Sequence, residues 1–413
     1  MFKFFEDRLS VSARTMKRSA IRELLKLVER PDIISFAGGM PDPSLFPVDL
    51  VEDATKVMLK NEGKKALQYG ATEGHQGLIE ELINRLKSKE NIEVNENEIL
   101  ITTASQQGLD LVTKIFVDPG DIVIVGMPTY IGGLQAFNCY GARFIGIPLD
   151  KGGMRVDMIP ERLKLLGRGQ QLVKFIYVIP DFQNPTGATM SLKRRERLIE
   201  IAEKYDILIL EDTPYRELRY WRVSLPSLFA LAPRGRVVSL FTFSKILCPG
   251  MRLGYILADE RTINQLVIAK QATDLCTPPF TQAILYEILR RNVLDKHIEK
   301  LIVKYREKRE FMLNTLNKYM PPIPELEWTT PDGGLFLWVT LPEDMDAEDL
   351  FPKAIEKKVA YVVGSYFYHD GTGKNTMRLN FSYPTLELID EGIKRLAKLI
   401  KEAQNNVTSK PVT

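Results

Sequence analysis

Five short apolar runs narrow the architectures open to this chain. They are Ile99-Leu-Ile-Thr102, Asp121-Ile-Val-Ile-Val125, Lys174-Phe-Ile-Tyr-Val-Ile179, Ile207-Leu-Ile-Leu210 and Val237-Val-Ser-Leu-Phe-Thr-Phe243. They alternate little between apolar and polar residues, which marks strands buried on both faces. Ala142-Arg-Phe-Ile-Gly-Ile-Pro148 reads as a further strand. Between the runs the period changes to that of helices. Leu109, Val112, Ile115 and Phe116 share one face, and Leu192 to Tyr205 is a charged amphipathic stretch. Strands alternating with helices predict an α/β chain whose mostly parallel sheet carries helices on both faces.

A long helical stretch, Val293 to Tyr319, stops before Pro321-Pro322 and reads as a connector. Beyond it, strands near Leu326–Trp328, Gly334–Thr340, Val359–Val363 and Met377–Phe381 are interleaved with helices from Ala347 and Leu386. This predicts a smaller α+β domain. Ahead of the sheet, Ser19 is positioned to cap a helix whose stripe is Ile21, Leu24, Leu25 and Val28. The expected division is an arm and lid helix over 1–45, a large domain over 46–305 and a small one over 306–413. A chain of 413 residues is long enough for two cores.

Composition removes several functions. Lysine and arginine number 56 against 53 acidic residues, which is no nucleic-acid footprint. Three scattered cysteines predict a reducing cytoplasm rather than a disulfide framework. Three histidines argue against a His-rich metal site. No run of eighteen apolar residues predicts a membrane span.

Ligands of open parallel sheets sit beyond the carboxyl ends of the strands. Each predicted strand is followed there by a chemically loaded residue: Ser105 and Gln106, Tyr130, Asn184, Asp212 and Lys245. Each has a plainer reading alone, as turn residue, helix cap, core tyrosine or surface amine. Their convergence on one rim favours a cofactor. An amine nucleophile with flanking hydroxyls and a nearby arginine, Arg252, suits an aldehyde that carries a phosphate, namely pyridoxal 5'-phosphate held as a Schiff base. Asp212 at a strand end suits the protonated ring nitrogen. Ser105 and Gln106 open a helix whose free N–H groups suit a phosphate.

Four motifs occur in order: Asn-Pro-Thr-Gly at 184–187, Glu-Asp-Thr-Pro-Tyr at 211–215, Ser-Lys at 244–245 with Pro-Gly-Met-Arg at 249–252, and Arg-Leu-Asn-Phe at 378–381. From Ser19 to the last helix the chain resembles the class I, fold-type I pyridoxal-phosphate aminotransferases. The resemblance implies ping-pong transamination, with Lys245 as covalent anchor and proton shuttle. It implies Asn184 and Tyr215 on the ring oxygen, Tyr130 stacked on the ring, and Ser244 and Arg252 completing the phosphate cup. It implies that Arg378 clamps the substrate carboxylate, and that Tyr69 reaches the neighbouring subunit's phosphate in a homodimer. Ser-Ala-Ile-Arg-Glu-Leu at 19–24 and Ser-Phe-Ala-Gly-Gly at 35–39 resemble the 2-aminoadipate, kynurenine and aromatic subgroup. There a mobile helix covers the site, so Ser19, Arg22 and Gly39 are expected to meet the substrate. Phe241 and Cys248 depart from the family's pattern, in which smaller residues are common at both positions. The same fold hosts cysteine-conjugate β-lyases and the sensor domains of transcription regulators, which are the rival expectations.

Overall fold

The computed structural model describes residues 5–16, 30, 32–166 and 173–408. The predicted lid helix, with Ser19 and Arg22, lies outside the described residues.

Eight strands form the central sheet: β2 (Ile99–Thr102), β3 (Ile122–Met127), β4 (Arg143–Asp150), β5 (Gly153–Met154), β6 (Val173–Val178), β7 (Leu208–Asp212), β8 (Val237–Thr242) and β9 (Gly254–Leu257), following a short first strand β1 (Ile34–Ser35). Their spatial order is β2-β9-β8-β7-β6-β3-β4-β5. The run from β8 through β7, β6 and β3 to β4 is parallel. β9 is antiparallel to both of its neighbours and was not assigned from the sequence.

The apolar runs are buried because the sheet is covered twice. Ile99, Ile101, Ile124, Ile176 and Ile209 join one core; Leu100, Val123, Val125, Phe175 and Leu210 join the other. This is the two-residue strand period carrying successive side chains to opposite faces. Helices Leu192–Lys204 and Pro279–Arg290 supply side chains to the first core. Helices Ala104–Phe116, Ile131–Asn138 and Glu260–Gln271 supply them to the second.

The helix Leu294–Tyr319 leads to a four-stranded antiparallel sheet built from β10 (Glu327–Trp328), β11 (Phe336–Thr340), β13 (Val362–Val363) and β14 (Thr376–Asn380). The stretch 359–363, read as one strand, is two. Val359–Ala360 (β12) pairs with β1, whereas Val362–Val363 pairs with β14. Between them Tyr361 is fully buried, and its hydroxyl donates to the Ala347 carbonyl at 2.6 Å.

Residues 36–42 form a strap across this small sheet. Phe36 N–H donates to the Ala360 carbonyl at 2.8 Å, and Asn380 N–H donates to the Phe36 carbonyl at 2.9 Å. The Ser382 hydroxyl donates to the Met40 carbonyl at 2.9 Å. Lys308, on the connecting helix, pairs with Asp42 and donates to the Ser382 carbonyl at 2.8 Å.

Gly254 is a tight point near the sheet's carboxyl rim, closed in by backbone. It pairs with Thr102 on one side and Thr242 on the other. A Cβ there would lie 2.4 Å from the Phe241 carbonyl oxygen and 2.9 Å from the Ala104 carbonyl carbon. Both obstacles are backbone, so no rotamer change relieves the clash. Gly254→Ala is expected to cost about 3 kcal/mol, the upper end of ordinary overpacking penalties. A thermal melt should show a Tm lower by several degrees; an unchanged Tm would refute this packing.

Candidate active site

The rim beyond β2, β3, β6, β7 and β8, where β9 begins, gathers the residues predicted at the strand ends. β7 ends on Asp212, which is 2% exposed. Its Oδ2 accepts from the Tyr177 hydroxyl at 2.9 Å, and its Oδ1 has no hydrogen-bond partner among the described residues. Burial pushes this carboxyl up to about 7; the Tyr177 hydroxyl and the Thr213 N–H oppose the shift, while neighbouring Glu211 adds to it. Glu211 faces away along the strand period and is satisfied by the Ser239 hydroxyl and by the N–H groups of Leu228 and Phe229. A buried acceptor left open is costly unless a ligand donor meets it.

Asn184 and Tyr215 stand together, with Asn184 Nδ2 donating to the Tyr215 hydroxyl at 3.4 Å. Arg378, on β14, reaches both the large sheet and the strap. Its Nη1 donates to Asn184 Oδ1 at 2.9 Å, and its Nη2 donates to the Ala37 carbonyl at 3.0 Å. The rings of Phe336 and Phe367 lie 4.1 Å and 5.1 Å from its guanidinium carbon. Its Nε is buried without a hydrogen-bond partner among the described residues. Burial lowers the Arg378 pKa to about 10, against the opposing pull of Tyr215 and Tyr130.

Lys245 follows β8 and is half-buried. Its Nζ donates to the Gly39 carbonyl at 2.9 Å, so the strap meets the amine directly. Burial first, then Arg378 and Arg252, lower this amine to about 8. A Cβ at Gly39 would meet Phe336 at an ordinary contact distance of 3.5 Å.

The proposed anion cup is built by register. Thr102, Gly254 and Thr242 stand side by side, so the residues just beyond them converge. Ser105 is the second residue of its helix and Ser244 is buried. Arg252 is exposed and adopts a left-handed backbone with φ 51°. Gln106 Nε2 donates to the Gly132 carbonyl at 3.2 Å, and its Oε1 accepts from the Tyr130 hydroxyl at 3.4 Å. Tyr69 projects into solvent, 79% exposed.

A family model described as aminotransferase class I and II matches residues 34–396. The chain belongs to this family. It is 48% identical to an aromatic-amino-acid aminotransferase of Thermococcus litoralis over 96% of this chain and 95% of the relative. It is 41% identical to a 2-aminoadipate transaminase of Thermus thermophilus over 94% and 95% of the two chains. A kynurenine aminotransferase of Pyrococcus horikoshii, solved in complex with PMP, superposes with a TM-score of 0.93 at 45% identity, over 97% of this chain and 98% of that one. The protein is a pyridoxal-phosphate-dependent transaminase of fold type I, as the motifs at 184–187, 244–252 and 378–381 imply. These relatives favour transamination over the lyase reading.

The residues present fit the cofactor. The orphaned Asp212 Oδ1 is an acceptor for a ring N–H, and the depressed Lys245 amine is a nucleophile for an aldehyde. Three contributors escaped the sequence reading. Tyr177 carries the only hydroxyl in the run 174–179, and a buried tyrosine needs a partner, which was the available signal. Phe336 and Phe367, which face the Arg378 guanidinium, left no signal beyond the glycines at 333–334.

The Asp212 shift has a definite sign. Its folded pKa lies above the unfolded 3.8, so the stability that it contributes is lost as pH rises through about 7. Asp212→Asn should therefore gain stability relative to the wild-type apoprotein between pH 5 and pH 8, while kcat falls by at least about 10²-fold. Paired thermal melts at the two pH values check it; a gap independent of pH would refute the raised pKa.

Proposed function

We propose that this aminotransferase moves the amino group of an aromatic amino acid, kynurenine, 2-aminoadipate or leucine to 2-oxoglutarate. The observation that carries the reading is the Arg378 guanidinium, buried with Nε open and oriented by Asn184 and Ala37. A planar fork of this kind suits bidentate recognition of an α-carboxylate. The names of the relatives from Thermococcus, Thermus and Pyrococcus support the range of side chains.

Bound pyridoxal 5'-phosphate supplies an electron sink for the bond broken at the substrate's Cα. The chain's own residues do the rest. Asp212 Oδ1 would hold the proton on the ring nitrogen. Asn184 and Tyr215 would donate to the ring oxygen, and Tyr130 would lie against the ring. Ser105, Gln106, Ser244 and Arg252 would hold the phosphate with charge-assisted bonds and a helix N-terminus. Lys245 would anchor the cofactor, and its free amine would take the proton from the substrate's Cα. Its lowered pKa keeps a large share of the unliganded amine neutral near pH 8, as a nucleophile for an aldehyde must be.

The active unit is a homodimer in which Tyr69 serves the partner's phosphate. The exposed side chains Leu67 and Tyr69, beside a Gly70 that lies against Pro279, support this reading. Ser19 and Arg22, which lie outside the described residues, and Gly39 of the strap would meet the substrate side chain, acidic or apolar. The enzyme works in the cytoplasm, in keeping with three cysteines that are free. No helix among the described residues is long and apolar enough to cross a membrane.

Mixing the cofactor-loaded enzyme with single amino acids and recording visible absorption tests the reading. Absorption should fall with a few amino acids and return with 2-oxoglutarate; if no amino acid changes it, the reading fails. Arg378→Lys should raise KM for every amino acid about 10²-fold, the loss of a buried charge-assisted pair. Arg22→Ala should depress kcat/KM for 2-aminoadipate about 10-fold and spare aromatic substrates; equal values for wild type and variant would remove Arg22 from the site.

A further inference from the structure

A single buried carboxylate, Asp181, collects three guanidiniums. Arg195 donates to its Oδ1 at 2.8 Å, Arg219 to the same oxygen at 2.6 Å, and Arg216 to its Oδ2 at 2.8 Å. The Asp181 and Arg195 side chains have no exposed surface, and Arg216 has 4%. On its far side Arg216 forks onto Glu90 at 2.9 Å through Nε. Burial alone would raise the Asp181 pKa, but the guanidiniums outweigh it and hold the carboxyl below its usual value. The cluster therefore stays ionised inside the protein.

Its covalent neighbours give it a second meaning. Asp181 lies three residues before Asn184, and Arg216 immediately follows Tyr215. The two groups assigned to the ring oxygen thus stand on separate loops, and the Asp181–Arg216 bond joins those loops directly. Between Asp181 and Asn184 the backbone is also constrained. Phe182 adopts a left-handed φ of 52° and lies under the Arg219 guanidinium at 4.6 Å. The Gln183 amide donates to the Pro128 carbonyl and accepts from Thr186. Apolar packing of the same volume would stabilise the fold as well as buried ion pairs do, but it lacks their direction. Directional bonds at both loop bases fix where the Asn184 amide and the Tyr215 hydroxyl stand.

We propose that Asp181 and Arg216 are positioning residues for the reaction: their buried ion pair sets the spacing of Asn184 and Tyr215, and through Asn184 the aim of Arg378. The proposal rests on the site reading above. It predicts two linked effects of loosening the pair. Donors to the ring oxygen favour its charged form, so weaker donation raises the pH midpoint of the cofactor's visible absorption. A displaced Asn184 releases Arg378 Nη1, so KM for amino acids rises while the fold remains.

Arg216→Lys keeps the charge and removes the fork that spans Asp181 and Glu90. The measurements are the pH midpoint of visible absorption, the cofactor dissociation constant, and KM with kcat for one good amino acid. The expected result is a midpoint higher by about one unit and a kcat/KM lower by about 10-fold, carried mostly by KM. Leu399→Ala, a core truncation on the last helix, Leu386–Thr408, serves as the control; it should lower Tm and leave the midpoint unchanged. If Arg216→Lys does not fold, Glu90→Gln loosens the same arginine from its outer end and should move the midpoint in the same direction by less. A variant that loses Tm but keeps the wild-type midpoint and KM overturns the proposal and leaves the cluster a stability element. A wild-type chain without visible absorption would instead overturn the site reading, so the two failures are distinct.

Discussion

Desolvation of three side chains, Asp212, Lys245 and Arg378, is the constraint on which this site depends. Each is moved toward its neutral form, the carboxyl up to about 7, the amine down to about 8, the guanidinium down to about 10, and burial is the largest cause in every case. A buried charge without its counterpart is expensive. Two of the three also keep an open polar atom, Asp212 Oδ1 and Arg378 Nε. The unliganded site is thus a set of unmet electrostatic demands. On the proposed reading a cationic ring nitrogen, an aldehyde and a carboxylate would answer them one by one.

The fold places these charges by means that are mostly apolar. The sheet strands are buried on both faces, and their carboxyl ends carry the polar residues of the site. β9 brings Gly254 between Thr102 and Thr242, and only the lack of a Cβ lets the Ala104 and Phe241 backbones close on it. The small sheet contributes Arg378, which is held from the large sheet by Asn184 and from the strap by Ala37. Arg378 is therefore a joint among three segments far apart in sequence. The strap is pinned at its far end by Lys308, which pairs with Asp42 and with the Ser382 carbonyl. The same strap offers its Gly39 carbonyl to Lys245.

How much of this was legible follows from the range of each interaction. The buried strands were plain because an apolar run with little alternation has few other homes. Asp212 and Lys245 were plain because a charge at the end of such a run needs a reason. β9 was not, since four residues after a tight turn carry little pattern, and their strand identity depends on pairing with β2 and β8. Nor was the division of 359–363, which the burial of Tyr361 and the arrival of β1 decide together. Tyr177 was read as part of a strand, and only the three-dimensional placement of β6 beside β7 turns its hydroxyl toward Asp212. Asp181 and Arg216 look like ordinary charges in the sequence because their partners, Arg195, Arg219 and Glu90, are distant along the chain. Residue chemistry at strand ends is local information; charge pairing across loops is not.

The two arginines that lower the Lys245 pKa are the two assigned to anions. After burial, Arg378 and Arg252 are its largest causes. An anion seated on either guanidinium cancels part of the positive field at Nζ, and the amine regains affinity for a proton. On the proposed reading a phosphate on Arg252 and a substrate carboxylate on Arg378 would each make the amine more basic, so the charges that hold cofactor and substrate would also strengthen the base that takes the proton from Cα.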